Sequence, residues 1–375
     1  MAAIPTLLPS EEFREALRRR GGEAAARCYQ CATCSGVCEL ARDEAPFPRR
    51  LMLWAQWGLA ERLAADPAVW LCHQCNDCTA RCPRDAKPGD VVQVIRALVI
   101  EKLAFPGFLG RVVGAARTTW PLLVGLPIAF WIALLAVTGH FGVPAGLPQN
   151  WAYEQLVPHL LIYSVFFPAA AWTLLAAWVS GRRFWGLLAA RGPRKKSFVA
   201  GLWPAGREIA THTRFASCGE AKPRRLGHLS LMWGFVGAAV TSGLLIVGIY
   251  IQHLAMPLAL THPYKLLGNV SAVLLVVGAG VLVANRLGDT LKAGAATAFD
   301  TYFLTIVVLV IVTGVLAEVA RLGLSPEFAF GTYIVHLGLV LSLFLTFPYS
   351  KFAHLLYRSL AMVHEGGSEA ETARP

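Results

Sequence analysis

Six stretches govern what this chain can become. Residues 120–141, 156–179, 228–251, 264–284, 302–322 and 332–349 are each apolar enough to cross a hydrocarbon core about 30 Å thick, which takes roughly 20 residues of helix. Inside lipid no water satisfies a backbone N–H or C=O, so each stretch is read as a helix and the fold class as all-α. Pro121, Pro127 and Pro168 fall within the first two, where neighbouring helices can re-satisfy the freed carbonyls. Composition agrees: 55% of the residues are hydrophobic and only 15% charged, a balance foreign to a water-soluble domain.

Lysine and arginine set the orientation. The 181–227 connection carries Arg182, Arg183, Arg191, Arg194, Lys195, Lys196, Arg207, Arg214, Lys222, Arg224 and Arg225 against Glu208 and Glu220, which predicts a cytoplasmic position. The loops at 142–155, 253–263 and 323–331 are nearly free of basic residues and are expected outside. Six spans then put both termini in the cytoplasm of a prokaryotic cell, with the chain in its inner membrane. The start, MAAIPTLLPSEEFREALRRR, has no apolar core or cleavage site of a secretory signal, which gives the same expectation. The net charge of +11 is read as this topology signal and as attraction to anionic lipid, not as nucleic-acid binding. Spans three to six are almost wholly apolar at their middles, unlike a transporter with a midplane site.

Ahead of the spans, residues 1–118 hold eight of the nine cysteines, in two runs. CYQCATCSGVC places Cys28, Cys31, Cys34 and Cys38, and CHQCNDCTARC places Cys72, Cys75, Cys78 and Cys82. Cytoplasmic thiols stay reduced, so the runs are not read as disulfides. Zinc motifs usually separate two C-x2-C pairs, whereas C-x2-C-x2-C-x3-C is the spacing of two-cluster bacterial ferredoxins, whose fourth cysteine crosses to the other cluster. On that pattern one 4Fe-4S cluster takes Cys28, Cys31, Cys34 and Cys82, and the second takes Cys72, Cys75, Cys78 and Cys38. Cys82-Pro83 keeps the proline of the pattern and Cys38-Glu39 does not. Gly89-Asp90 is expected to cap a helix from residue 91 toward 103 that leads to the membrane. Cys218 stands alone in the basic connection and is read as a bystander.

Histidines mark the spans. His336 and His354 are about five turns apart in one span at 3.6 residues per turn, hence on one face and roughly 27 Å apart along the axis. His228 and His253 return to within about 20° of one face of the third span. A haem b in a helical core needs two inward imidazoles at one depth, from different helices. His228 and His354 form the expected inner pair. At the outer level His336 meets His253, favoured by its face, or His262, with His140 and His159 on the same side. Gly234, Gly237 and Gly243 are candidates to admit a flat porphyrin. Lys265, Glu318 and Arg321, near the outer ends, are candidates for proton exchange with a quinol.

The cysteine region resembles the two-cluster C subunits of heterodisulfide reductases. HLSLMWGF (228–235), FDTYFLTIVVLVIVTG (299–314) and HLGLVLSLFLTFPYSKFAH (336–354) resemble their cytochrome b subunits and, more remotely, the gamma subunit of respiratory nitrate reductase. The order of the two parts is similar to that in the C subunits of quinone-interacting membrane-bound oxidoreductase (Qmo) complexes. The resemblance implies a small helical two-cluster ferredoxin-type domain at 1–118, a six-helix transmembrane cytochrome b-type bundle at 119–363 and a polar tail at 364–375. It further implies two 4Fe-4S clusters, haem b, with two haems expected, and menaquinone as substrate. Implied partners are flavoproteins of the Qmo A and B type, with adenylylsulfate reductase beyond them. A related electron-transfer subunit with another partner, or a haem-free anchor for a soluble reductase, is the alternative. No G-x-G-x-x-G lies in a strand–helix setting, so any flavin belongs to a partner.

Overall fold

A computed structural model describes residues 8–191, 197–213, 222–288, 294 and 297–366. Cys218, with Arg194, Lys195, Lys196, Arg214, Glu220 and most of the tail, lies outside the described residues. Among those described there is no strand, only an isolated bridge between Arg42 and Ala45, and the chain is all-α.

The cysteine region is built of short helices: α1 (Glu11–Leu17), α2 (Thr33–Gly36), α3 (Arg49–Gln56), α4 (Ala60–Ala64), α5 (Ala68–Leu71) and α6 (Asp77–Ala80). They surround α7 (Pro88–Leu103), which α8 (Gly107–Gly114) joins to the first span. Gly89 and Asp90 lie inside α7, which begins earlier than the sequence suggests. Pro88 takes the first helical position, where a missing N–H costs nothing, and Asp90 then falls in the first turn.

Six helical segments are long and apolar enough to cross a membrane. They are α9 (Ala116–Val137), α10 (His159–Arg191), α12 (Lys222–Tyr250), α13 (Pro263–Gly288), α14 (Ala298–Gly323) and α15 (Pro326–Thr346), the last continued by α16 (Ala353–His364). Pro121, Pro127 and Pro168 are accommodated within α9 and α10.

Three sequence expectations change. The basic connection is largely helix: α10 runs 33 residues, about 50 Å and longer than a bilayer, and α11 (Phe198–Thr211) follows, N-capped by Ser197. The overhang of α10 clasps the cysteine region, with Arg183 donating to the Ala104 carbonyl (2.6 Å) and Arg191 paired with Asp66 (2.9 Å). Second, the last span is broken. Helix α15 stops at Thr346, Phe347–Tyr349 form a 3-10 turn and Ser350 is extended, so His336 and His354 sit on different helices and the one-face argument does not apply. Pro348 accounts for the break, lacking an N–H and disfavouring helix in the residue before it. Third, α12 ends at Tyr250, and His253 lies in the following loop at φ 52°, outside the helical phase that linked it to His228.

One apolar core runs through both parts. Leu51, Val69, Trp70, Val91 and Ile95 of the cysteine region share it with Phe184, Leu188, Phe299, Tyr349 and Tyr357 of the spans. Trp70 stacks on Tyr357 at 4.7 Å, and Phe184 meets Tyr357 edge-on at 5.3 Å. Glycine brings α12 against α13: a Cβ on Gly237 would collide with the Ser271 hydroxyl, and one on Gly234 would lie 2.7 Å from Leu275. These two glycines therefore serve helix contact, as small residues do in membranes, rather than opening room for a porphyrin.

Candidate functional site

The two cysteine runs follow one backbone course. On either side of the second cysteine of each run a residue adopts the left-handed conformation: Gln30 (φ 59°) and Ala32 (φ 69°) flank Cys31, and Gln74 (φ 55°) and Asn76 (φ 65°) flank Cys75. Such paired reversals are uncommon for side-chain-bearing residues, and they curl each run back on itself. A single helical turn follows each time, α2 bearing Cys34 and α6 bearing Cys78.

Cys28, Cys31, Cys34 and Cys82 line one cavity, together with Arg49 and Arg84. Cys38 and Cys78 lie within electrostatic reach of Cys72 and Cys75. The fourth cysteine of each run thus stands with the first three of the other. All eight are unbridged. Backbone N–H groups of Gln74 and Ala86 donate to the sulfurs of Cys72 and Cys82, each at 3.3 Å, and the Gln30 amide donates to the Cys28 sulfur at 3.3 Å. Burial pushes the Cys38 thiol up to about 12, with Cys72 and Cys75 adding like charge, and burial likewise raises Cys34 and Cys78. Thiols held this way give up their protons when a cation replaces them, and the N–H donors on sulfur suit iron–sulfur ligation. Cys31 differs: it is exposed, and the Thr33 hydroxyl lowers it.

Below the second run the structure brings His228 of α12 and His354 of α16 together, ring centroids 6.0 Å apart. Two imidazoles bound at about 2 Å to opposite faces of one metal have ring centres about 6 Å apart. Nδ1 of His354 lies 2.5 Å from the Lys351 carbonyl, which only accepts, so Nδ1 carries the proton and Nε2 the lone pair. Nδ1 of His228 is engaged by Nε2 of His212 at 2.9 Å. In α15, Nδ1 of His336 meets Thr313 Oγ1 at 3.0 Å. That hydroxyl gives its one hydrogen to the Leu309 carbonyl at 2.7 Å, so His336 too donates from Nδ1 and keeps its Nε2 lone pair. An engaged Nδ1 with Nε2 left for metal is the usual state of an imidazole ligand. His336 is thus paired with Thr313, while His253 remains exposed on its loop and His262 accepts from the Tyr264 N–H at 3.3 Å.

Sequence reasoning missed His212, which closes α11 in a left-handed conformation (φ 51°); burial lowers its imidazole, with the Arg358 charge adding to the effect. The Ser197 cap and the apolar spacing of 198–209 were the available signal that this segment is an ordered helix. It also missed the contacts between the cysteine loop and the membrane helices. Cys72 O accepts from Arg96 Nη2 (2.6 Å) and Arg358 Nη1 (3.2 Å), and Gln74 O accepts from Arg224 Nη1 (2.6 Å). Gln74 bonds Gln93, Gln93 bonds Asp300, and Asp300 pairs with Lys351 at 2.6 Å, a buried chain from the Cys72 loop to the turn that holds His354. At the other end of the long helices Glu318 joins Lys265 (2.7 Å) and Arg321 (3.4 Å), bringing those three sequence candidates together.

Comparison with known proteins gives two family matches. The family of citrate utilization protein B matches residues 118–374, and the 4Fe-4S dicluster domain matches residues 24–86. Citrate utilization protein B of Escherichia coli is 25% identical over 362 residues, covering 90% of this chain and 88% of its own. The C subunit of the H(2):CoB-CoM heterodisulfide,ferredoxin reductase of Methanothermobacter thermautotrophicus is 38% identical over 86 residues, 23% of this chain and 46% of its own. An iron-sulfur C subunit of the CoB--CoM heterodisulfide reductase of Methanocaldococcus jannaschii is 31% identical over 130 residues, 34% of this chain and 66% of its own. The chain thus spans about half the length of the first of these reductase subunits. No solved structure matches. The cysteine region is an iron–sulfur domain like that of the heterodisulfide reductase C subunits, joined to a membrane-type helical region.

Proposed function

The chain belongs to the citrate utilization protein B family, and we propose that it is the membrane electron-transfer subunit of a multi-subunit oxidoreductase, linking a quinone such as menaquinone to a soluble flavoprotein. Two 4Fe-4S clusters on the crossed cysteine sets and haem b between His228 and His354 would supply the one-electron carriers, with His336 ligating a second haem. The observation that carries this reading is the placement of the His228–His354 pair, 6.0 Å between centroids, directly beneath the Cys72 loop.

The chain's own residues hold and insulate that route. The Lys351 carbonyl and His212 orient the two imidazoles, and the apolar core around Trp70 and Tyr357 keeps water from the passage. The exposed Cys31 and Tyr29 mark the face where the flavoprotein docks. His253 or His262 would complete an outer haem, and the Glu318 ion cluster would take up protons released there. Both termini are assigned to the cytoplasm. Similarity along nearly the whole chain to citrate utilization protein B favours a role in citrate utilisation over coupling to adenylylsulfate reductase.

The test is spectroscopy on the purified full-length protein: iron and sulfide analysis, pyridine haemochrome, then reduction by a menaquinol analogue. A b-type band that quinol reduces, and that His354→Ala lowers by about half, the inner haem lost and the outer kept, while iron and sulfide stay intact, is expected. A preparation without haem overturns the cytochrome reading and leaves an anchor for a soluble reductase; no response to quinol overturns the quinone link.

A further inference from the structure

Arg224 precedes His228 by one turn of α12, and Arg358 follows His354 by one turn of α16. Both side chains end on the loop at 70–74. Arg358 donates to the carbonyls of Trp70 (3.1 Å), Leu71 (3.3 Å) and Cys72 (3.2 Å), and it meets His73 Nδ1 at 3.0 Å. Arg224 donates to the Gln74 carbonyl at 2.6 Å. From α7, Arg96 reaches the Cys72 carbonyl at 2.6 Å, the Val69 carbonyl at 2.7 Å and the Gln74 side chain at 3.3 Å. Three guanidiniums from three helices thus converge on the loop that carries Cys72 and Cys75. The other set is differently placed: Cys31 is exposed, and of the two arginines lining its cavity Arg84 lies in solvent, where water screens its charge, leaving the half-buried Arg49, bonded to the Gln30 side chain at 3.3 Å, against three on the second loop.

We infer that Arg96, Arg224 and Arg358 are positioning residues that raise the reduction potential of the cluster on Cys38, Cys72, Cys75 and Cys78 above that of its neighbour and fix it as the cluster facing the haem. The inference rests on the function proposed above. Its physical basis is charge. Reduction adds one electron to a cluster whose thiolates are already anionic, and burial disfavours the added charge. Arginine keeps its proton at any accessible pH, so three half-buried guanidiniums oppose that penalty without titrating. They also join the loop to the helices bearing both histidines, which fixes the distance an electron must cross.

The experiment is an EPR-monitored redox titration of the full-length protein carrying Arg96→Gln, Arg224→Gln or Arg358→Gln, with Arg358→Lys and Arg27→Gln beside them. Arg27 pairs with Asp85 at the surface and serves as control. The expected result is that in each Gln variant one cluster becomes at least tenfold harder to reduce, about 59 mV for one electron, while the other keeps its midpoint. Arg358→Lys retains most of the wild-type value and Arg27→Gln all of it. Equal shifts of both clusters, no shift in the three Gln variants, or a lysine variant as displaced as Arg358→Gln overturn the inference. If Arg96→Gln fails to fold, Arg224→Gln and Arg358→Gln decide, since each touches the loop from outside it. Wild-type protein lacking two cluster signals overturns the underlying function instead.

Discussion

His212 and His228 are joined ring to ring, Nε2 to Nδ1 at 2.9 Å, although one closes the helix of the basic connection and the other lies near the start of a membrane span. An imidazole held by its second nitrogen is a better-oriented ligand, and loss of such a partner typically costs about 10–100-fold in metal affinity. His212→Ala is therefore expected to bind haem in that weakened range while both clusters stay intact. Haem titration into the apoprotein, followed at the Soret band, measures it; unchanged affinity would remove His212 from the site.

Crossed ligation makes opposite predictions for two serine variants. Cys82→Ser should perturb the cluster that shares the cavity of Cys28, Cys31 and Cys34, and Cys38→Ser the one on Cys72, Cys75 and Cys78. Mössbauer and EPR spectra of the two variants should each show a single altered centre. If both variants damage the same centre, each run serves itself.

Asp300 is 4% exposed and holds Lys351, Thr297 and Gln93. Removing Asp300 leaves the Lys351 ammonium, a third exposed, without its counter-charge, at a cost of about 1–3 kcal/mol. Asp300→Ala should lower thermal stability in detergent by that order. The double variant Asp300→Leu, Lys351→Met should recover most of the loss, because no lone charge remains.

The contact between α12 and α13 leaves no room at Gly237 and ample room at Gly243, whose added Cβ meets nothing within 4 Å. Gly237→Leu should destabilise by about 1–3 kcal/mol through overpacking, and Gly243→Leu should be close to neutral. Thermal unfolding of both proteins in one detergent makes the comparison.

Topology has a direct check. Alkaline phosphatase fused after Leu147 should be active, as it is only outside the membrane, and a fusion after Gly366 should be inactive. The reverse pattern would invert the orientation drawn from Lys and Arg.

The features legible in sequence were those with a period or a fixed spacing. Apolar length gave the six spans, and the cysteine spacing gave an iron–sulfur domain, which the dicluster match supports. Helical phase was trusted too far where the helix stops. His253 lies beyond the end of α12, and Pro348 ends the helix between His336 and His354, so angles counted along an unbroken helix had no meaning there. Arginines counted for topology hid a second role, because charge tallies carry no information on which carbonyl a guanidinium reaches. Gly234 and Gly237 were legible as small residues but not as to what approaches them. The family match to citrate utilization protein B lies in the apolar part, where few residue types recur in any distinctive spacing.

Trp70 lies early in the chain, and its stacking partner Tyr357 lies in α16, after all the spans. Protein synthesis runs from the first residue to the last, so the cysteine region emerges from the ribosome with one wall of its interior missing and must wait, loosely closed, until the final helix has been made. Assembly factors delivering iron would find Cys72, which shares that interior, accessible during the interval and covered afterwards, while Cys31 stays exposed throughout.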